Sequence, residues 1–410
     1  MNALGQDDLR DLVTRLAAME RPSASDGERR AAELIAAELR AAGAQLVRLE
    51  EERVHGTYWW PLGLLTGLAA LAGLGRSRVA GVAAGAFAAA GVADDVRHER
   101  RWFRRLFLPK RTTVNVHAEL GPAGAEHTVV LVAHHDAAHS GLVFHPGPPR
   151  WILRRYPKLL EASNTTPGTL WGAFFGPLAV ALGSLLGLRP LRRIGALLSL
   201  GNAAAMADIG LRKVVPGAND NLTGVAAVVS LAHALRANPL ERTRVILLST
   251  GSEESFSEGM QAWGRRHFPS LPTDSTDFIC VDTVGSPRLL LLEGEGMLGI
   301  HEYPKDLIAL IHRCAEEEGV EVVRDLRFRN ATDGVVALLA GYRTATLGSV
   351  DEFKIPSNYH WPTDTAENVD YTTLAGCVRL VEAVLRALSR ERQAGQGSRP
   401  EGLVAQAEGR

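Results

Sequence analysis

Cysteine is scarce: the 410 residues include three, Cys280, Cys314 and Cys377, and no two are spaced as a metal-binding or redox pair. That excludes a disulfide framework and a cysteine-ligated zinc site, and it fits a reducing compartment. Charge of one sign is missing too, since 45 Lys and Arg face 46 Asp and Glu for a formal net charge of −1. So balanced a chain offers no electrostatic reason to bind nucleic acid. The opening lacks the basic-then-apolar pattern of a secretory signal. Met1 to Ala42 instead alternates charged and apolar residues at helical spacing, predicting two amphipathic helices punctuated by Pro22 and by Ser23 to Asp26.

What the chain does have is a set of histidine and acidic sites at strand ends and loop starts: His134-x-Asp136, Asp220-Asn221, Glu253-Glu254, Asp282 and His360. His134 follows the apolar run Thr128 to Ala133, Glu253 follows Arg244 to Thr250, and Asp282 closes Phe278 to Val281. Each run reads as a buried strand. In an open α/β sheet, ligand groups gather beyond the carboxyl ends of the strands, so these distant residues are expected in one crevice. Asp220 sits on a Pro- and Gly-marked turn, Pro216 to Gly224, ahead of the apolar helix Val225 to Leu235. A carboxylate there has two oxygens and can bridge two cations about 3.5–4 Å apart. In Glu253-Glu254 one carboxylate can bind metal while its neighbour stays free to move a proton. Asp136 is placed to orient the His134 imidazole. Taken singly, each residue would be a cap or turn residue, and Glu253-Glu254 the solvated first turn of a helix toward Trp263. Together they are the ligands of a two-metal hydrolytic centre. His135, His139, His145, His267 and His301 have no such context and default to surface or loop roles.

The segments Ala133-His134-His135-Asp136, Gly217 to Asn221, Ser252-Glu253-Glu254, Val281-Asp282 and Tyr359 to Asp370 resemble, in order and spacing, the successive motifs of the di-zinc aminopeptidase family. That family includes bacterial leucyl and lysyl aminopeptidases. The resemblance implies an α/β, three-layer zinc-exopeptidase fold with a mixed central sheet. It implies two Zn²⁺ per chain: His134 and Asp282 on one, Glu254 and His360 on the other, Asp220 bridging, Glu253 as general base, and peptides as substrates. The chain departs from the family after the glutamate pair, where it reads Ser255-Phe256-Ser257-Glu258-Gly259, and at Cys280 and Gly334. These positions alter the pocket wall and leave the ligands intact. Two alternatives stay open: a glutaminyl cyclase, which shares the scaffold but uses one zinc, and a non-catalytic membrane scaffold.

Two pairs of nearly charge-free runs interrupt the catalytic segments: Trp59 to Gly75 with Val79 to Ala93, and Leu170 to Leu188 with Ile194 to Ala207. The turns between them, Arg76-Ser77-Arg78 and Arg189-Pro190-Leu191-Arg192-Arg193, are basic. Each pair reads as a hydrophobic helical hairpin inserted into a peptidase domain, at 58–93 and 170–209, with the domain itself in 1–57, 94–169 and 210–391. The runs are short for a bilayer, which takes about 17–25 residues. A layer packed on the domain, or an interface in a homo-oligomer, is the competing use. Tryptophans near the ends and basic flanks favour the membrane. Domain-side cations, among them Arg97, Arg100, Arg101, Arg104, Arg105, Lys158, Arg212 and Lys213, outnumber those in the turns, which predicts a cytoplasmic catalytic domain. Whether the hairpins span or dip stays open. Downstream, short strands are expected at Leu289 to Leu292, Val320 to Val323 and Thr344 to Leu347. Helices are expected at Pro304 to Glu318 and Tyr371 to Leu388, followed by a disordered tail from Ser389, with 392–410 outside the domain.

Overall fold

The computed structural model describes residues 3–161, 163–168 and 170–397. In chain order the elements are α1 (Gln6–Ala17), α2 (Asp26–Ala41), β1 (Gln45–Val54), α3 (Trp59–Leu74), α4 (Arg78–Val96), α5 (Trp102–Phe107), β2 (Arg111–Leu120) and β3 (His127–His134). Then follow α6 (Gly147–Arg155), α7 (Pro157–Glu161), α8 (Trp171–Leu186), α9 (Arg189–Leu211), α10 (Thr223–Ala237), β4 (Thr243–Thr250), α11 (Glu258–His267), β5 (Thr276–Val281) and β6 (Arg288–Glu295). The chain ends with β7 (His301–Glu302), α12 (Lys305–Glu317), β8 (Val323–Phe328), α13 (Asp333–Leu339), β9 (Arg343–Val350) and α14 (Tyr371–Gly397).

The sheet runs β1-β2-β4-β3-β5-β9-β6-β7, with β8 also paired to β6. Its middle strands, β4, β3, β5 and β9, are parallel, and their flanks are antiparallel. Continuous apolar runs suit strands covered on both faces. In β3, Val129 and Leu131 face the layer of α1, α2, α10, α12 and α14, while Val130 and Val132 face α11 and α13. This is the three-layer arrangement with a mixed sheet that the motifs implied.

Two expectations need correction. The strand placed at Val320 to Val323 begins only at Val323, which pairs with Leu290; Val320 and Val322 pack against the core without joining the ladder. The final helix does not stop at Leu388. It continues to Gly397, because Arg390 to Gln396 contains only good helix formers apart from Gly395 and no proline until Pro400. The rest of the expected tail, 398–410, lies outside the described residues.

The inserts form two helical hairpins, α3–α4 and α8–α9, which pack together as one four-helix bundle. Ser77 caps α4, its Oγ accepting from Ala80 N. The second turn is shorter than the sequence suggested. It narrows to Gly187 and Leu188, and the basic stretch from Arg189 forms the first turn of α9, where Pro190 is tolerated for want of an N–H obligation. α9 therefore reaches 23 residues and α4 19, both long and apolar enough to cross a membrane. α3 and α8 have 16 each. Near the sheet the bundle interior holds Leu62, Leu65, Val92 and Met206. Farther out it narrows to small residues. A Cβ on Gly195 would lie 2.6 Å from Val180 N, and one on Gly85 2.6 Å from Ala181 N, so α8 touches both neighbours nearly backbone to backbone. The large side chains point outward: Leu71 is 74% exposed, Leu185 60% and Leu197 62%.

A buried ion cluster joins bundle and sheet domain. Arg104 of α5 donates to Asp95 at the end of α4 (Nε to Oδ2, 2.8 Å) and to Ser255 O at 2.9 Å, and it lies 3.2 Å from Glu258 at the start of α11. Arg101 donates to Phe256 O. The segment that leaves α4 thus grips the loop that follows Glu253-Glu254.

Candidate metal centre

Strand ends bring the predicted residues together. His134 is the last residue of β3, Asp282 follows β5, Glu253 and Glu254 lie just past β4, and Asp220 occupies the turn before α10. Asp220 sits between two imidazoles: its Oδ1 is 3.2 Å from His134 Nε2 and its Oδ2 is 3.3 Å from His360 Nε2. Asp282 Oδ2 is 3.8 Å from His134 Nε2, and Glu254 Oε2 is 3.2 Å from His360 Nε2. Glu253 Oε2 approaches His134 Nε2 at 3.9 Å. All of these residues line one cleft with about 500 Å³ of open space.

The donor set fits a divalent cation. Asp220 Oδ2, Glu254 Oε1 and His360 Nδ1 are buried with no hydrogen-bond partner, and His134, Asp220 and Glu254 offer ligand atoms within 4.8 Å of one another. Bare carboxylate oxygens facing one small space are costly unless positive charge joins them. Imidazole nitrogen and carboxylate oxygen are donors that zinc takes.

The electrostatics divide the carboxylates. Burial pushes the Glu253 carboxyl well above its ordinary range, helped by Asp333, Glu254 and Asp282 and opposed by His134. For Asp220, burial is outweighed by the hydrogen bonds and charges of His134 and His360, and its carboxyl is held below the usual range. Burial lowers His360, yet Glu254 and Asp220 raise it to about 10.

Asp136 does more than orient an imidazole. His134 Nδ1 meets its backbone carbonyl at 3.2 Å, while its carboxylate accepts from Glu253 N at 3.0 Å, Glu254 N at 3.1 Å and Ser23 Oγ at 2.6 Å. It therefore fixes the backbone carrying the glutamate pair. His135, expected at the surface or in a loop, is a buried loop residue bonded to Ser249 Oγ at 2.9 Å.

Sequence reasoning missed the scaffold around these side chains. Asp364 accepts from Asn219 N and Asp220 N; it lay inside the quoted Tyr359 to Asp370 segment, which was a signal. Asn221 holds Val281 O, Gly224 N and Thr283 N. Glu28 accepts from Ser252 N and Ser252 Oγ, and buried Arg21 donates to the carbonyls of His135, Pro216 and Gly217. Nothing in an amphipathic helical stretch marked those two. Ser252, Phe256, Ser257, Thr283 and His360 all have φ between 50° and 67°. Such left-handed non-glycine residues are strained, and the network holds them around the cleft.

No curated protein matches the chain by sequence. By structure it is similar to a Zn-dependent exopeptidase from Parabacteroides distasonis, at 13% identity over 93% of this chain and 98% of that one, TM-score 0.55. A glutaminyl cyclase from Bacteroides thetaiotaomicron gives 15%, 93%, 97% and 0.55. An aminopeptidase from Aneurinibacillus gives 13%, 94%, 94% and 0.54. The resemblance carried by the motifs is borne out: residues 204–385 match peptidase family M28, and the chain has the zinc-exopeptidase fold.

Proposed function

We propose that the protein is a membrane-associated zinc exopeptidase, an aminopeptidase by subtype, that holds two zinc ions and hydrolyses the N-terminal amide of peptides. The observation that carries this is the placement of two imidazoles on opposite oxygens of Asp220, at 3.2 and 3.3 Å. His134 and Asp282 would hold one ion, Glu254 and His360 the other, and Asp220 both. Zinc held by these residues would lower the pKa of a water and polarise an amide carbonyl. Glu253 is left without ligand duty. Its place on the cleft, with Oε2 3.9 Å from His134 Nε2, suits a group that takes a proton from water and returns it to the leaving amine. Asp136 keeps the Glu253 backbone in place, and Tyr359, stacked on the His360 ring at 3.9 Å between centroids, limits that imidazole's rotation.

The membrane reading is supported by the bundle, which is small-residue inside and leucine-rich outside, the packing expected where the surroundings are lipid. The excess of domain-side cations favours a catalytic domain on the cytoplasmic face.

Metal analysis with a peptide-substrate screen tests the proposal. Two zincs per chain are expected. Glu253→Gln should keep both while turnover falls about 10²–10⁴-fold, the range of general-base catalysis. Wild-type turnover in that variant refutes the role of Glu253. One zinc and cyclisation of an N-terminal Gln peptide would establish the glutaminyl cyclase alternative, consistent with the cyclase among the structural neighbours. Bound zinc with no turnover of any peptide would favour a scaffold.

A further inference from the structure

A second cavity, with about 700 Å³ of open space, adjoins the metal cleft and shares Glu253, Glu254, Tyr359 and His360 with it. Its other walls come from two sources. The bundle supplies Leu170, Ala205, Met206 and Ile209, and the loops of the sheet domain supply Phe144 and Phe256 among others. Phe144 also packs edge-on against the His360 ring, 4.5 Å between centroids. An amide whose carbonyl lies in the metal cleft therefore has one substituent directed into a chamber that the inserts help to build.

The lining specifies the chemistry of that substituent. The carboxylates lining the two cavities are Asp220, Glu253, Glu254 and Asp282. Each of them belongs to the metal cluster or acts as its base, so among the described residues no anion beyond the cluster remains for an ammonium group carried into the chamber. Among the described residues the chamber is lined by no Lys or Arg, so a carboxylate on the substituent that enters it would find no partner there. The polar side chains that the inserts supply among the described residues are Tyr58 and Asn202, and the buried Oδ1 of Asn202 has no hydrogen-bond partner. An uncharged, largely apolar group is what such walls favour, since a charge there would lose its water and gain no partner.

We propose that the chamber receives the alkyl chain of an N-acyl amide, so that the protein also hydrolyses fatty-acyl amides, with α9 forming the wall along the chain. The step is balanced: water adds its oxygen to the acyl carbon, the C–N bond breaks, Glu253 carries the water proton to the leaving nitrogen, and a fatty acid and an amine result. The proposal depends on the hydrolytic reading of the metal cleft and not on the aminopeptidase subtype.

The test uses the full chain in detergent, with acetyl-, butanoyl- and octanoyl-glycine as probes. Binding is measured by calorimetry on zinc-loaded Glu253→Gln, and turnover on the unaltered protein. Affinity should rise with chain length, up to about fourfold per methylene at the transfer limit, and kcat/KM should follow the same order. Ala205→Phe, which fills the chamber, should reduce the octanoyl-to-acetyl ratio at least tenfold. Equal binding of acetyl- and octanoyl-glycine to the otherwise unaltered chamber overturns the proposal without reference to any variant's folding. Hydrolysis of peptides but not of acyl-glycines also overturns it while leaving the exopeptidase intact. Chain-length-dependent binding with no turnover of either class would support the chamber and refute the hydrolytic reading.

Discussion

The sheet domain and the bundle solve packing in opposite ways. In the sheet domain the largest aliphatic residues are innermost: Leu131, Ile279 and Leu247 are wholly buried, and helices on both faces exclude water from them. In the outer half of the bundle the centre is glycine, alanine and serine, with Gly73, Gly81, Ala196 and Ser199 among the buried positions, and leucine points away. Burial of apolar area stabilises the first arrangement. It contributes less to the second, whose leucines lie on the outside. Close backbone approach and an apolar surrounding can stabilise that arrangement. The difference teaches that the two regions are held by different packing, which is what the proposed membrane role of the bundle requires, and that the candidate metal cleft lies beside the junction between them.

The largest effect separates the two regions by function. Asp220→Ala removes the carboxylate that both imidazoles face, so zinc and activity should be lost together. The bundle contains none of the proposed ligands and should be indifferent, and the variant should divide between membrane and soluble fractions as the unaltered protein does. Zinc analysis and fractionation check both halves. Retention of two zincs by this variant would remove Asp220 from the centre.

Next come paired substitutions that should have opposite orders in the two regions. Leu131→Ala in the sheet core should cost about 2–5 kcal/mol, the usual range for a buried leucine. Leu197→Ala, at a site 62% exposed, should change stability in detergent by no more than about 0.5 kcal/mol. Gly195→Leu enlarges the small-residue seam, where even a Cβ meets Val180 N at 2.6 Å, and should cost about 3 kcal/mol or more. Denaturant or thermal unfolding of the solubilised protein reads all three. A bundle that loses more from Leu197→Ala than from Gly195→Leu would be packed like an ordinary water-soluble domain. Replacing Leu71, Leu185 and Leu197 together by Ser sharpens the same contrast, since the variant should shift toward the detergent-free fraction.

How much of this was visible beforehand follows from which residues act locally. The residues that meet in the candidate site were legible because a strand end and a Gly-marked turn place a side chain by short-range rules, and the parallel sheet then gathers those ends. The hairpins were legible from charge-free runs alone. Their packing was not: nothing in Leu170 to Leu188 says that Gly85 and Gly195 will press against α8 from two sides. Glu28 and Arg21 were hidden for the same reason, being ordinary helix-region charges whose partners, Ser252 and Gly217, lie about two hundred residues away. The departure at Ser255 to Glu258 looked like a change in the pocket wall, and only the structure shows Glu258 meeting Arg104 of α5, which also holds Asp95 at the end of the bundle helix α4.

That contact carries the smallest prediction, on how the two regions are coupled. Burial alone would raise the Glu258 carboxyl, but Arg104, the hydrogen bond from His55 and Arg101 together pull it well below its ordinary value of 4.5. A carboxyl depressed in the folded state contributes stability that is complete above its unfolded value. The contribution is lost as pH falls from about 4.5 through the depressed folded value. Other depressed carboxylates, such as Asp136 and Asp220, give the protein an acid slope of their own, so the informative quantity is a difference. Thermal unfolding of the solubilised protein should fall more steeply below pH 4.5 for the unaltered chain than for Glu258→Gln, and the two curves should run parallel between pH 5 and 7. Glu258→Gln should also start lower, because Arg104 keeps Asp95 but loses its second carboxylate. Equal slopes below pH 4.5 would mean that the ion cluster between bundle and sheet domain is a passive contact and that the two regions unfold without reference to it.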